Sequence, residues 1–213
     1  MTALAFWIAP GLDLAASSLF YRPGEGFHLR NSAYARAWYE GIPLLRSWLV
    51  LPGSVLLLAL WAARRRLPLG ITMRALLLFL LTLGLGWALL VNELVKNHSG
   101  RARPRDVSEF GGDRAFTPAF VPADQCEKNC SFVSGHTAFV FSGFALALVA
   151  RRRRAAILLV CVAGALAGLG RVMQGAHFLS DVVFSGVFMF AVAWLLHRAL
   201  YRMDSGRTDT TSA

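Results

Sequence analysis

Between residues 42 and 200 the chain carries five runs of about 20 mostly apolar residues: 42–63, 75–95, 131–150, 155–173 and 178–200. A helix rises about 1.5 Å per residue, so each run can cross a hydrocarbon core of roughly 30 Å. Only helices and closed barrels satisfy their backbone polar groups there, and runs this long are helical. A sixth run, 4–21, is shorter and interrupted by Pro10, Gly11 and Asp13, so it reads either as a kinked span or as an interfacial helix. No basic segment precedes it and no small-residue cleavage site follows it, so it is not read as a removable signal peptide. The expected fold is an all-α polytopic transmembrane helical bundle of six spans, the sixth-ranked being the first in the chain.

Charge sets the orientation. The formal net charge of +10 would suit a nucleic-acid binder if the basic residues were gathered on a polar domain. They lie between apolar runs instead, in a chain that is 56% hydrophobic, so no nucleic-acid partner is expected. Arg64, Arg65, Arg66 and Arg74 flank one turn and Arg151 to Arg154 fill another, with no acid in either, which makes both turns cytoplasmic. Arg198 and Arg202 agree. By alternation, 22–41, 96–133 and 172–178 face outward. Residues 1–203 form one membrane-embedded domain, and the polar tail 204–213 reads as disordered and cytoplasmic.

Ionisable groups at membrane depth are expensive and point to function. His136 lies 15 residues before Arg151, and Arg171 lies 17 after Arg154, so both stand about 22 to 26 Å above the inner face. Lys96 closes its span at that level, and His177 and Asp181 open the last one. The longest connection, rich in Gly, Pro and Arg, meets them there and brings Arg103. His177 and Asp181 share a helix face at i,i+4 spacing, so the carboxylate can orient the imidazole and leave its other nitrogen as a nucleophile. Lys96, Arg103 and Arg171 supply the charge and donors that phosphoryl oxygens need. Ser134 and Gly135 open a helix at His136, where free N–H groups favour an anion.

Other features have plainer readings. Cys126 and Cys130 fall in an outward loop, where their spacing allows either a disulfide closing a very small ring or two free thiols. Zinc ligation is disfavoured because no second Cys or His pair stands at ligand spacing. Gly164 and Gly168 form a small-residue face for close helix packing. Trp48, Trp61, Trp87 and Trp194 read as interfacial anchors and core. Arg101 and Arg105 alternate with Arg103 and read either as a second headgroup contact or as solvated surface charge.

Lys96-Asn-His-Ser-Gly-Arg-Ala-Arg103-Pro104, Val133-Ser134-Gly135-His136 and Gly170-Arg171 through His177 to Asp181 resemble the three-part signature of the type 2 phosphatidic acid phosphatases, the lipid phosphate phosphatases. The resemblance implies that His177 attacks phosphorus to form a phosphohistidine, with Asp181 orienting it and His136 as general acid. Lys96, Arg103, Arg171, Ser134 and Gly135 would bind phosphate, with no metal and no cofactor. It implies a membrane lipid as substrate, a place in the bacterial inner membrane and a site facing the periplasm. Undecaprenyl diphosphate, phosphatidylglycerol phosphate, phosphatidic acid and lipid A are the candidates, and the Arg-rich loop and small size look similar to lipid A phosphatases. Two positions depart from the pattern: Val133 stands for Pro, and Gly170 for a Ser whose hydroxyl would help hold phosphate. The alternatives are a lipid phosphotransferase using the same intermediate, a non-enzymatic lipid transporter, and a haloperoxidase-like enzyme, which has no need of spans.

Overall fold

The computed structural model describes residues 6, 9–63 and 71–202. The tail 204–213 and the basic cluster Arg64 to Arg66 lie outside the described residues, as do 1–5, 7 and 8. The described chain is mostly helical, with almost no strand. In order, it forms α1 (Gly11–Ser18), a small antiparallel hairpin of β1 (Tyr21–Arg22) and β2 (Gly26–Phe27), and α2 (Ala33–Ala62). Then come α3 (Met73–His98), α4 (Gly135–Val149), α5 (Arg153–Met173) and α6 (Leu179–Arg202).

Local chemistry sets the starts of these helices. Ser32 and Thr72 accept hydrogen bonds from the backbone N–H of Ala35 and Ala75, at 3.3 and 3.2 Å, and so satisfy orphan donors at the first turns of α2 and α3. Pro43 inside α2 removes one donor, and the turns that follow widen to a five-residue register, with Leu51 N–H donating to Arg46 O. The second half of α3, from Thr82 to Val95, is widened in the same way. There the Asn92 side chain donates to Trp87 O at 2.6 Å, taking up a carbonyl that the regular ladder would use.

Four helices, α2, α3, α5 and the stretch Leu179–Tyr201 of α6, are long and apolar enough to cross a membrane, and the chain is an all-α polytopic bundle. Two of the expected spans differ. The 131–150 span is a shorter helix, α4, broken at Ser142 and Gly143, where the Ser142 hydroxyl donates to Phe139 O and competes with the ladder. The described part of the 4–21 run contains no helix long enough to cross a membrane. Helix α1 is eight residues long, and its Asp13 is buried against Arg101 and Ser180 at the end of the bundle where α6 begins. A carboxylate with partners only at that level holds the helix there.

The core is a cluster of aromatic and aliphatic side chains from Leu78, Val91, Phe132, Phe141, Phe144, Phe184 and Met189, with α6 packed against α3, α4 and α5. Leu158, Leu159, Leu195, Val55 and Leu56 are exposed, as helix faces bathed in lipid are. Trp48 and Trp61 are exposed too, in keeping with the anchor reading, whereas Trp87 is drawn inward and donates to Gly135 O at 2.9 Å.

The expected small-residue face on α5 is present: a Cβ at Gly164 would lie 2.2 Å from the Phe141 ring, and one at Gly168 2.3 Å from Val182 Cγ1. Gly168→Ala is therefore expected to destabilise the bundle by about 1–3 kcal/mol, because Val182 is branched at Cβ and stiff at χ1. Thermal unfolding in detergent measures it, and an unchanged midpoint would refute the close packing.

Candidate active site at the loop-bearing end of the bundle

The start of α2, the end of α3, the start of α4, the end of α5 and the start of α6 all meet at one end of the bundle, under the 99–134 loop. The Arg151 to Arg154 turn lies at the opposite end of α5. A second apolar cluster ties this end together: Phe27 of the hairpin, Val107 and Phe110 of the loop, and Phe178. Gly175 permits it, since its φ is +60° and a Cβ there would sit 2.4 Å from the Phe27 ring.

Lys96, Arg103, His136 and Arg171 line one cavity of about 350 Å³, together with Tyr39, Gln174, Asn129 and Ala176. His177, beside Ala176, is completely buried. Its Nδ1 donates to the Ser131 carbonyl at 2.7 Å, which fixes the proton on that nitrogen, and its Nε2 is buried with no partner among the described residues. His136 Nε2 and Arg171 Nε are likewise buried and unpartnered. Polar atoms buried at such cost and left open beside a cavity are what a ligand would satisfy.

The imidazole of His177 is held well below the ordinary histidine range, first by burial and then by the nearby charges of Lys96, Arg171 and Arg103. It is therefore a neutral base with an open lone pair at neutral pH. Burial first, and the neighbouring Arg105 second, push the Arg103 guanidinium down from its ordinary value.

Cations and histidines thus come together as expected, with three corrections in detail. The expected hydrogen bond from His177 to Asp181 is not formed: Nδ1 lies 3.6 Å from Oδ2, because the Ser131 carbonyl has taken the proton. Asp181 is held instead by Arg101, at 2.6 Å, by the Ser131 hydroxyl and by Phe178 N–H. The Ser134 hydroxyl faces Thr137, 2.8 Å from its Oγ1, and caps α4 rather than opening into the cavity. Gly135 does approach the cations: a Cβ there would stand 3.6 Å from Lys96 Nζ and 2.7 Å from Asn92 Oδ1. Gly170 packs on Ala35 and Trp38 of α2, so a Ser at that position would meet a helix and not the phosphate. Cys126 and Cys130, left open above, are joined by a disulfide.

Several residues escaped the sequence reading. Arg101 is no surface charge: it is 1% exposed, bridges Asp13 at 2.7 Å and Asp181 at 2.6 Å, donates to Thr117 O, and lies 4.3 Å over the Phe178 ring. Asp13 also accepts from the backbone and hydroxyl of Ser180. Tyr39 stacks on His136 with ring centroids 5.3 Å apart and lies 4.9 Å beneath the Arg171 guanidinium. Gln174 accepts from Arg171 and donates to Ala35 O. Of these, Asp13 alone carried a signal, as a carboxylate inside an apolar run.

Residues 75–204 match the family model described as the PAP2 superfamily. Over 132 residues the chain is 42% identical to a lipid A 4'-phosphatase of Francisella tularensis subsp. novicida (strain U112), covering 61% of this chain and 60% of that protein. A lipid A 4'-phosphatase of Rhizobium etli is 31% identical over 195 residues, which are 81% of this chain and 73% of that one. The Rhizobium leguminosarum protein of the same description is 42% identical over 108 residues, 45% of its length. The chain thus spans less than two thirds of the Francisella and R. leguminosarum proteins. No solved structure matches. Since the family match takes in α3 to α6 and every motif that delivers a cation or histidine to the cavity, the chain belongs to the PAP2 superfamily.

Proposed function

We propose that the chain is a phosphatase that hydrolyses a phosphomonoester of a membrane lipid, lipid A first, at the periplasmic face of the bacterial inner membrane. The observation that carries the reading is the buried, unpartnered Nε2 of a neutral His177 within the field of Lys96, Arg103 and Arg171. The names of the relatives support the choice of lipid.

In the proposed cycle the three cations bind the phosphate oxygens, and the His177 Nε2 lone pair attacks phosphorus. The phosphorus–oxygen bond breaks as His136 protonates the departing sugar oxygen. The phosphoimidazole then carries positive charge, which Asp181 offsets from 3.6 Å. Water attacks phosphorus and gives its proton to His136, the phosphorus–nitrogen bond breaks with its electron pair returning to His177 Nε2, and inorganic phosphate leaves. A panel of lipid A, undecaprenyl diphosphate, phosphatidylglycerol phosphate and phosphatidic acid, with purified protein and His177→Ala beside it, tests this. Release from lipid A that vanishes in the variant is expected. No release from any of them defeats the enzymatic reading, and release only from another lipid defeats the choice of lipid A.

The activity should fall away on the acid side of its pH profile. Because the folded pKa of His177 is depressed, its neutral form persists below pH 6.5, and the acid limb of kcat/KM is expected below that value. The neutral ring also contributes stability that is fully present above pH 6.5 and is lost as pH falls through the depressed pKa. An acid limb centred above pH 6.5 would contradict the buried neutral imidazole.

A further inference from the structure

Lys96, Arg103 and Arg171 already suffice to surround one phosphate, yet the basic surface continues past them. Tyr39, Arg103, Arg105 and Asn129 also wall a second cavity of about 590 Å³, so the two spaces adjoin and share Arg103 in their lining. Arg114 and Lys128 line the second cavity and not the first. Asp106 and Asp113 lie there too, and four basic against two acidic residues leave an excess of positive charge. The ion pairs among them are long, 3.7 Å from Arg105 to Asp106 and 3.5 Å from Arg114 to Asp113, and partly solvated. Pairs of that kind contribute little and give way readily to a stronger anion.

These cations nevertheless stand on anchored backbone. Arg105 N–H donates to Gly175 O at 3.0 Å, and Arg114 N–H to Asp106 O at 2.9 Å beside the bridge to Val107. Lys128 sits inside the ring closed by Cys126 and Cys130. Side chains mounted at fixed points lose less entropy on meeting an anion than cations on a mobile loop.

The geometry points to the second cavity as a subsite for a second phosphate carried by the same substrate molecule, with Arg114 and Lys128 as its principal contacts. The inference rests on the lipid A reading, because a disaccharide headgroup phosphorylated at both ends can place one phosphate at His177 and extend the other past Arg103. A glycerolipid with a single phosphate has nothing to set there.

The test compares kcat/KM of the full chain in detergent on lipid A bearing both phosphates and on lipid A bearing the 4'-phosphate alone. The wild type should favour the doubly phosphorylated form by about tenfold, the equivalent of about 1.4 kcal/mol, through a lower KM. In Arg114→Ala/Lys128→Ala that ratio should fall to near one, and in the wild type it should shrink with added salt. Because it is a ratio of two substrates on one preparation, loss of folded protein cancels. A ratio that the double substitution leaves unchanged, or a wild-type ratio near one, overturns the subsite while leaving the phosphatase intact. Release from neither form overturns the lipid A reading and the subsite with it. Competition by inorganic phosphate that raises KM equally for both forms would show that only the catalytic cavity takes phosphate, and would also overturn it.

Discussion

His177→Ala is expected to lower the rate of phosphate release by about 10⁴-fold or more, because it removes the atom proposed to bond to phosphorus. The surrounding cations would still bind the substrate, so KM should move far less than kcat. The ring is fully buried, and its loss leaves a void and an unpaired Ser131 carbonyl, so a fall in stability is expected alongside. His177→Gln separates the two effects, since an amide can still donate to that carbonyl but cannot act as a nucleophile. Rapid quench with radiolabelled substrate should trap a phosphorylated wild-type protein and none in either variant. A variant retaining activity within tenfold of the wild type would eliminate the phosphohistidine route.

Arg101→Ala should be the most damaging change outside the cavity. It strands two buried carboxylates, Asp13 and Asp181, that share one guanidinium, and removing one partner of a buried ion pair costs about 3–5 kcal/mol. Lys is a poor replacement, because two carboxylates, a carbonyl and the Phe178 ring are matched to a planar fork. Asp13→Asn removes one charge and keeps a donor and an acceptor, so a smaller loss is expected. Thermal unfolding in detergent and kcat measured together provide the check. If Arg101→Ala unfolds at the wild-type temperature with undiminished kcat, the network supports neither the fold nor Asp181.

The contrast between Arg101 and Arg103 shows where sequence reasoning stops. Both lie in a polar, Arg-rich loop, and a guanidinium in such a loop is usually solvated. Arg103 could be identified through the spacing from Lys96 and the following Pro104. The burial of Arg101 depends on Asp13, 88 residues earlier, and no local pattern joins the two. Tyr39 was invisible for a related reason, since one aromatic residue near the start of an apolar helix has no period to break. The histidines and cations were legible because fixed helical rise brings the ends of successive spans to one level. The break in α4 was not, as Ser142-Gly143 inside an apolar run also suits an unbroken helix. The bond preferred by the His177 ring was not legible either, because a backbone carbonyl competes with Asp181 without leaving a trace in side-chain spacing.

The placement of α1 bears on how this chain can be divided. The match to the family model begins at residue 75, yet the carboxylate that completes the Arg101 pairing sits at 13, and the ring against His136 sits at 39. A fragment trimmed to the region of similarity would keep both histidines and all three cations while lacking the clamp on one and the lid on the other. The contacts that hold the site together therefore extend well upstream of the boundary that the family model draws.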